Sequence, residues 1–260
     1  MTRNILHDVD GLHELVDTIE TLDTLDKLQA SIPGEFVRKE ADRVLFKTPL
    51  NSTFYYLKVW WTSGYVRFAK DSFRGGKAAV REARGMLLLN RYDLRTPRLV
   101  AYGSVFRART SGFSYQITEE ISGVETLNDC MKRDSGLLSP EAIGRTICRL
   151  HSNYLVHEDV HPENLVVSDG NVDTLYFVDC MGVGRPRLSF GIIDDLSNFF
   201  FYAEIIGWPV SFLDDILRAY CDAWPGGGKD FYSLKSAVAK IVTKRKSKFS
   251  PYHIVRRLPF

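Results

Sequence analysis

A chain of 260 residues, 45% hydrophobic, 12% aromatic and 25% charged, has the make-up of a folded protein of one or two domains with a sizeable core. A formal net charge of +2 gives no reason to expect a nucleic-acid partner, and no apolar run approaches the ~20 residues of a spanning helix. The four cysteines (Cys130, Cys148, Cys180, Cys221) form no CxxC pair, which argues against a zinc or redox site. Reduced thiols and the lack of a signal peptide point to the cytoplasm.

Leu12, Leu15, Val16, Ile19, Leu22 and Leu25 recur at helical spacing among acids, which predicts an amphipathic helix or helix pair ended by Pro33-Gly34. Strand-like runs follow at Glu35–Lys39, Val44–Thr48 and Phe54–Trp61, the last two joined by the turn Pro49-Leu50-Asn51-Ser52. Gly75-Gly76 opens a helix from Lys77 to Tyr92, stopped by Thr96-Pro97. Leu99–Tyr102 and Ser114–Thr118 read as two more strands. Thr126–Arg133 and Ser139–Ser152 read as helices, the second with a serine cap and a proline in its first turn. Leu165–Val167 and Leu175–Val178 flank Ser168-Asp169-Gly170-Asn171, a hairpin signal. The rest is mostly helical, and the end is basic: Lys240, Lys244, Arg245, Lys246 and Lys248, with no acid after Asp230. The expectation is an α+β, bilobal fold, a small antiparallel-sheet lobe plus a larger helical lobe. Residues 1–34 would be an amphipathic helical extension. Residues 35–119 would form the lobe with the sheet and one helix, and 120–260 the helical lobe with the catalytic loop and the basic tail.

The chemistry concentrates in His157-Glu158-Asp159-Val160-His161-Pro162-Glu163-Asn164, with Asp179 ending an apolar strand fifteen residues after Asn164. In phosphoryl transfer the protein positions the acceptor oxygen and spreads negative charge. A carboxylate at Asp159 can orient a hydroxyl and take its proton. Asn164 and Asp179 offer hard oxygens of the kind Mg²⁺ takes together with phosphate and water. Lys58, flanked by apolar residues on a strand, is costly to bury unpaired. Between Lys58 and Asp93 the only acids are Asp71 and Glu82, so a Lys58–Glu82 pair set against ATP phosphates is expected.

Lys58, Glu82, Ile117-Thr118-Glu119-Glu120-Ile121, the loop His157–Asn164 and Asp179 stand in kinase order. So do Arg81-Glu82-Ala83, Thr96-Pro97-Arg98, Leu150-His151 and Asp194-Asp195-Leu196. Over about residues 35–224 the chain resembles the lipopolysaccharide kinase (Kdo/WaaP) family, which implies a protein-kinase-like fold for the two lobes. The resemblance implies Asp159 as catalytic base, Asn164 and Asp179 as metal ligands and Lys58 on phosphate. It implies a hinge at Ile117–Ile121, with Glu119, Glu120 and Ile121 near adenine, His157 bracing the loop, and Asp195 as a buried cap on it. It also implies ATP and Mg²⁺ as cofactors and a Kdo or heptose of the lipopolysaccharide inner core as acceptor, on the cytoplasmic side. Three departures stand out. Lys39–Val44 has no glycine where a GxGxxG would lie, Asp179 is followed by Cys180-Met181-Gly182 rather than Phe-Gly, and no Ala-Pro-Glu follows. Only fifteen residues lie between Asp179 and Asp195, which favours a sugar or glycolipid over a protein acceptor. Arg185 and Arg187 in that segment are candidates to hold an anionic acceptor.

Three other readings compete. A small-molecule kinase of the aminoglycoside or choline type shares the His-x-Asp loop. A kinase-shaped binding protein without turnover is suggested by the missing glycines. His157-Glu158-Asp159-Val160-His161 also spells HExxH, which holds zinc only on a helix, and Pro162 disfavours one. The basic end suggests a peripheral contact with an anionic inner membrane, with a solvated helix face as the alternative. The sequence does not bear on the oligomeric state.

Overall fold

The computed structural model describes residues 2–7, 9–21, 25–39, 43–63, 77–108, 111–187, 190–226 and 228–248. The chain forms two compact units, Met1–Ser122 with Asp179–Val183, and Gly123–Val178 with Gly184–Phe260.

The first unit contains β1 (Thr2–Ile5), α1 (Leu12–Thr21), α2 (Leu25–Ser31), β2 (Glu35–Lys39), β3 (Arg43–Leu50), β4 (Thr53–Ser63), α3 (Ala78–Arg91), β5 (Leu99–Ala108) and β6 (Ser111–Glu119). Its strands make one antiparallel sheet in the order β1-β5-β6-β4-β3-β2. Asn51, with φ 55°, makes the left-handed corner between β3 and β4, a conformation asparagine tolerates. β1 has no counterpart in the sequence reading. It holds one apolar residue, Ile5, and is fixed by backbone pairing to β5, which leaves no side-chain pattern. The proposed opening Gly75-Gly76 of α3 lies outside the described residues.

The sheet's two faces differ in chemistry. Along β3, Val44, Phe46 and Leu50 are buried while Arg43, Leu45 and Lys47 are only partly so. The buried set joins Tyr55, Leu57, Val59, Val100, Tyr115 and Ile117 in one apolar cluster with Leu12, Leu15, Val16 and Ile19 of α1 and Leu28 of α2. The amphipathic start of the chain is therefore the cover of one sheet face. Period-2 strands and a period-3.6 helix meet there because each buries one side. Tyr115 Oη donates to Glu20 Oε1 at 2.6 Å within this layer, and burial with Glu20 alongside pushes the phenol's pKa up.

The second unit contains β7 (Glu125–Thr126), α4 (Leu127–Arg133), α5 (Pro140–Ser152), β8 (Leu165–Ser168), β9 (Asn171–Phe177), α6 (Ile192–Ile205), α7 (Val210–Asp222) and α8 (Phe231–Lys246). Ser139 caps α5 by accepting from the Ala142 N–H at 3.1 Å, and Pro140 opens the helix. Asp169 and Gly170 are both left-handed, as a tight two-residue hairpin turn between β8 and β9 requires. α8 is anchored on α6, where Arg245 donates to Asn198 Oδ1 at 2.6 Å and to the Asp194 carbonyl at 3.3 Å, and Lys246 pairs with Glu204. Among the described residues no helix is long and apolar enough to cross a membrane.

Candidate active site

In the second unit the segment 157–164 is an irregular loop between α5 and β8, not a helix. His157 is fully buried. Its backbone N–H donates to Asp195 Oδ2 at 2.7 Å, and its Nε2 lies 3.1 Å from the Val178 carbonyl. The same Asp195 oxygen meets His151 Nε2 at 3.2 Å, and His151 Nδ1 lies 3.0 Å from Tyr220 Oη. A buried chain of polar groups thus runs from α7 through α5 and α6 into the loop. Glu158 adopts φ 64°, a strained corner for a non-glycine residue. Asp159 follows with its carboxylate 56% exposed, 3.9 Å from His161 Nε2. Asn164 Nδ2 donates to the Asp159 carbonyl at 2.9 Å, closing the loop on itself and leaving Oδ1 as the side chain's acceptor end. The Val178 N–H donates to the Asn164 carbonyl at 3.0 Å.

In the first unit the cation and the carboxylates form a tight group. Lys58 Nζ donates to Glu82 Oε1 at 2.9 Å and to Asp179 Oδ1 at 2.6 Å. Arg43 Nη1 stands 3.9 Å from that same Asp179 oxygen. Burial works against the charge on Lys58, but Glu82 and Asp179 together outweigh it and hold the ammonium's pKa above its ordinary value. Burial pushes Glu82 up, and Lys58 draws it back. Asp179 takes the left-handed conformation, φ 54°, at the entry of the 3₁₀ turn Cys180–Gly182. α3 can reach this turn only because position 85 is glycine. A Cβ there would sit 2.0 Å from the Cys180 carbonyl oxygen.

The remaining expected residues are placed as follows. The Glu119 N–H donates to the Arg98 carbonyl and its carboxylate accepts from Arg98 at 2.9 Å. The Glu120 N–H donates to the Phe54 carbonyl, and its carboxylate accepts from Lys47 at 2.7 Å and from Tyr56 at 3.3 Å. Ile121 follows half-buried. Arg185 Nη1 donates to the carbonyls of Asn153 at 2.9 Å and Tyr154 at 3.3 Å, and Arg187 Nε lies 3.4 Å from Glu158 Oε1. His157 and His161 do not share a helix face, and His157's ring is committed to the Val178 carbonyl, so the HExxH spelling lacks the geometry zinc needs. Among the described residues no three His, Cys, Asp or Glu side chains gather as a metal cage. Mg²⁺ needs no such cage, since one or two carboxylates with phosphate and water suffice; Asp179 in the first unit and Asn164 in the second each carry an oxygen of the hardness it takes.

Sequence reasoning missed Arg43, Gly85 and Tyr220. A glycine inside a helix is a legible oddity, because it costs ~1 kcal/mol against alanine unless something needs the space. Arg43 and Tyr220 carry no such mark.

Residues 25–220 match the lipopolysaccharide kinase (Kdo/WaaP) family. No curated protein matches the sequence. Among solved structures, WaaP in complex with acyl carrier protein aligns at a TM-score of 0.64 and 17% identity, covering 95% of this chain and 99% of that one, which establishes a shared fold. The bifunctional kinase-methyltransferase WbdD aligns at a TM-score of 0.45 and 19% identity, over 78% of this chain and 43% of that one.

Proposed function

Because the chain belongs to the lipopolysaccharide kinase (Kdo/WaaP) family and is a kinase, we propose that it transfers the γ-phosphate of ATP to a sugar hydroxyl, a Kdo or heptose of the lipopolysaccharide inner core. The support comes chiefly from the loop His157–Asn164. Its far side is buried and bonded through Asp195, while Asp159 keeps an exposed carboxylate. A rigid loop presenting one solvent-facing carboxylate suits a group that must meet a hydroxyl brought in by a substrate.

In this reading Asp159 orients the acceptor hydroxyl and takes its proton as the new O–P bond forms and the bond from the γ-phosphorus to the β-phosphate's bridging oxygen breaks, releasing ADP. Lys58, kept charged by Glu82, neutralises phosphate oxygens. Asn164 and Asp179 would hold Mg²⁺, which would supply screening of the nucleotide's charge. The Ile117–Ile121 segment meets adenine. The Glu119 and Glu120 N–H groups are engaged by the Arg98 and Phe54 carbonyls, so in this reading Ile121 is the candidate backbone donor to adenine. Arg187, two-thirds exposed, is better placed for an anionic acceptor than Arg185, whose guanidinium is engaged by two carbonyls.

An acceptor of this kind is carried on lipid, so we place the enzyme at the cytoplasmic face of the inner membrane. The lysines at 240, 244 and 248 are exposed, unlike Arg245. The test is phosphate transfer from ATP to a panel of inner-core sugars, aminoglycosides and choline. Turnover confined to the last two would replace the sugar-core reading with that of a small-molecule kinase. Absence of any transfer, with ATP still bound, would favour a binding protein.

A further inference from the structure

The face of the first sheet that bears Lys58 bears a second cation that no motif announces. In the β3–β4 register Arg43 lies opposite Trp60, and Leu45 lies opposite Lys58. All four therefore share the face turned away from α1, whose own partners are the alternate residues Val44, Leu57 and Val59. Arg43 Nη1 and Lys58 Nζ approach one and the same oxygen, Asp179 Oδ1, at 3.9 and 2.6 Å. The shorter contact is a charge-assisted hydrogen bond, and the longer one is an ion pair beyond hydrogen-bonding length.

Lys58 and Arg43 both face Asp179, and Lys58 faces Glu82 as well. If Asp179 gives its charge to a divalent ion, the oxygen the two cations share is taken, and an incoming anion can replace it for both. The sequence from Lys39 to Val44 has no glycine, so it does not offer the glycine-rich turn whose backbone N–H groups cover phosphates elsewhere. Arginine at the first position of β3 supplies a planar fork of donors in its place.

We propose that Arg43 is a phosphate-binding residue of this kinase: its guanidinium leaves Asp179 for a phosphate oxygen of the nucleotide next to the one Lys58 holds, doing with a side chain what a glycine-rich turn does with backbone. This rests on the nucleotide reading above. The test is calorimetric titration of the full chain with ATP, ADP and adenosine. Arg43→Ala is expected to weaken ATP and ADP binding by about tenfold to a hundredfold, the loss of one charge-assisted contact, and to leave adenosine within about twofold. Arg43→Lys should recover only part, because a point charge does not reproduce the fork. Thermal unfolding of each variant checks that the fold is kept, with Arg43→Gln as the second variant if the alanine form is unstable. Unchanged ATP binding by Arg43→Ala, with Lys58→Ala impaired, overturns the assignment and leaves the nucleotide reading standing. Equal losses for ATP and adenosine overturn it by making Arg43 structural. An unaltered chain that binds no nucleotide overturns the nucleotide reading, and this one with it.

Discussion

A lysine ammonium held between two carboxylates is expensive to disturb from either side. Removing Lys58 leaves Glu82, almost fully buried, without its cation, and removing Glu82 leaves Lys58 to follow Asp179 alone. Lys58→Met should therefore cut kcat by about a hundredfold or more, in the range measured for lost charge stabilisation. Glu82→Gln should act in the same direction but less, both read by steady-state transfer from ATP. Asp159→Asn keeps the 2.9 Å bond from Asn164 to the carbonyl of residue 159, loses at most the 3.5 Å contact to the carboxylate, and removes the proton acceptor. It should lower kcat by about 10²–10⁴-fold with little change in melting temperature. The thiols carry a separate expectation. All four cysteines are buried, and burial pushes Cys148 up to about 11 and Cys180 well above its ordinary value. A thiol-reactive dye should label the native chain slowly and the unfolded chain at four sites per molecule. The acids and the lysine were legible in the sequence because each breaks a local rule, a charge in an apolar run or a histidine and aspartate beside a proline. Arg43 was not, since an arginine after Glu40-Ala41-Asp42 looks like any surface charge.

At the level of elements, close approach decides more than propensity does. α3 brings Glu82 to Lys58 and, one turn on, Gly85 against the turn that follows Asp179. Gly85→Ala improves the helix by ~1 kcal/mol of intrinsic propensity yet places a methyl in a carbonyl. The net should be a loss of about 1–3 kcal/mol in denaturant unfolding, as for overpacked cores, together with weaker ATP binding. α1 invites the opposite test. Ile19, fully buried on the sheet face remote from Lys58, should cost about 2–5 kcal/mol as alanine and leave the affinity for ATP unchanged in folded protein. The helices and most strands were readable because their apolar residues recur at 3.6 or 2. β1 and the partner that α1 and α2 cover were not, because strand pairing and packing are fixed by residues far away in the chain.

For the molecule as a whole, the basic end reads differently once α8 is seen on α6. Arg245 and Lys246 hold the helix pair together, which leaves Lys240, Lys244 and Lys248 for any external anion. Vesicles containing anionic lipid should bind the protein at low salt, and Lys240, Lys244 and Lys248 changed together to Glu should abolish that binding without lowering the melting temperature. The same change at Arg245 should destabilise the fold instead. The order of charges along the sequence marks a basic end but not which cations are already engaged by the protein's own carbonyl, amide and carboxylate oxygens.

The short stretch Asp179–Val183 counts with the first unit although the chain has by then traversed fifty-six residues of the second, from Gly123 to Val178. On the ribosome, the sheet and its helices can assemble early, but the lysine at 58 must wait for its second carboxylate until α4, α5, β8 and β9 have been translated. A nascent chain arrested before that point would carry the Lys58–Glu82 pair without its third member, so that the proposed competence to bind ATP would arrive only with Asp179.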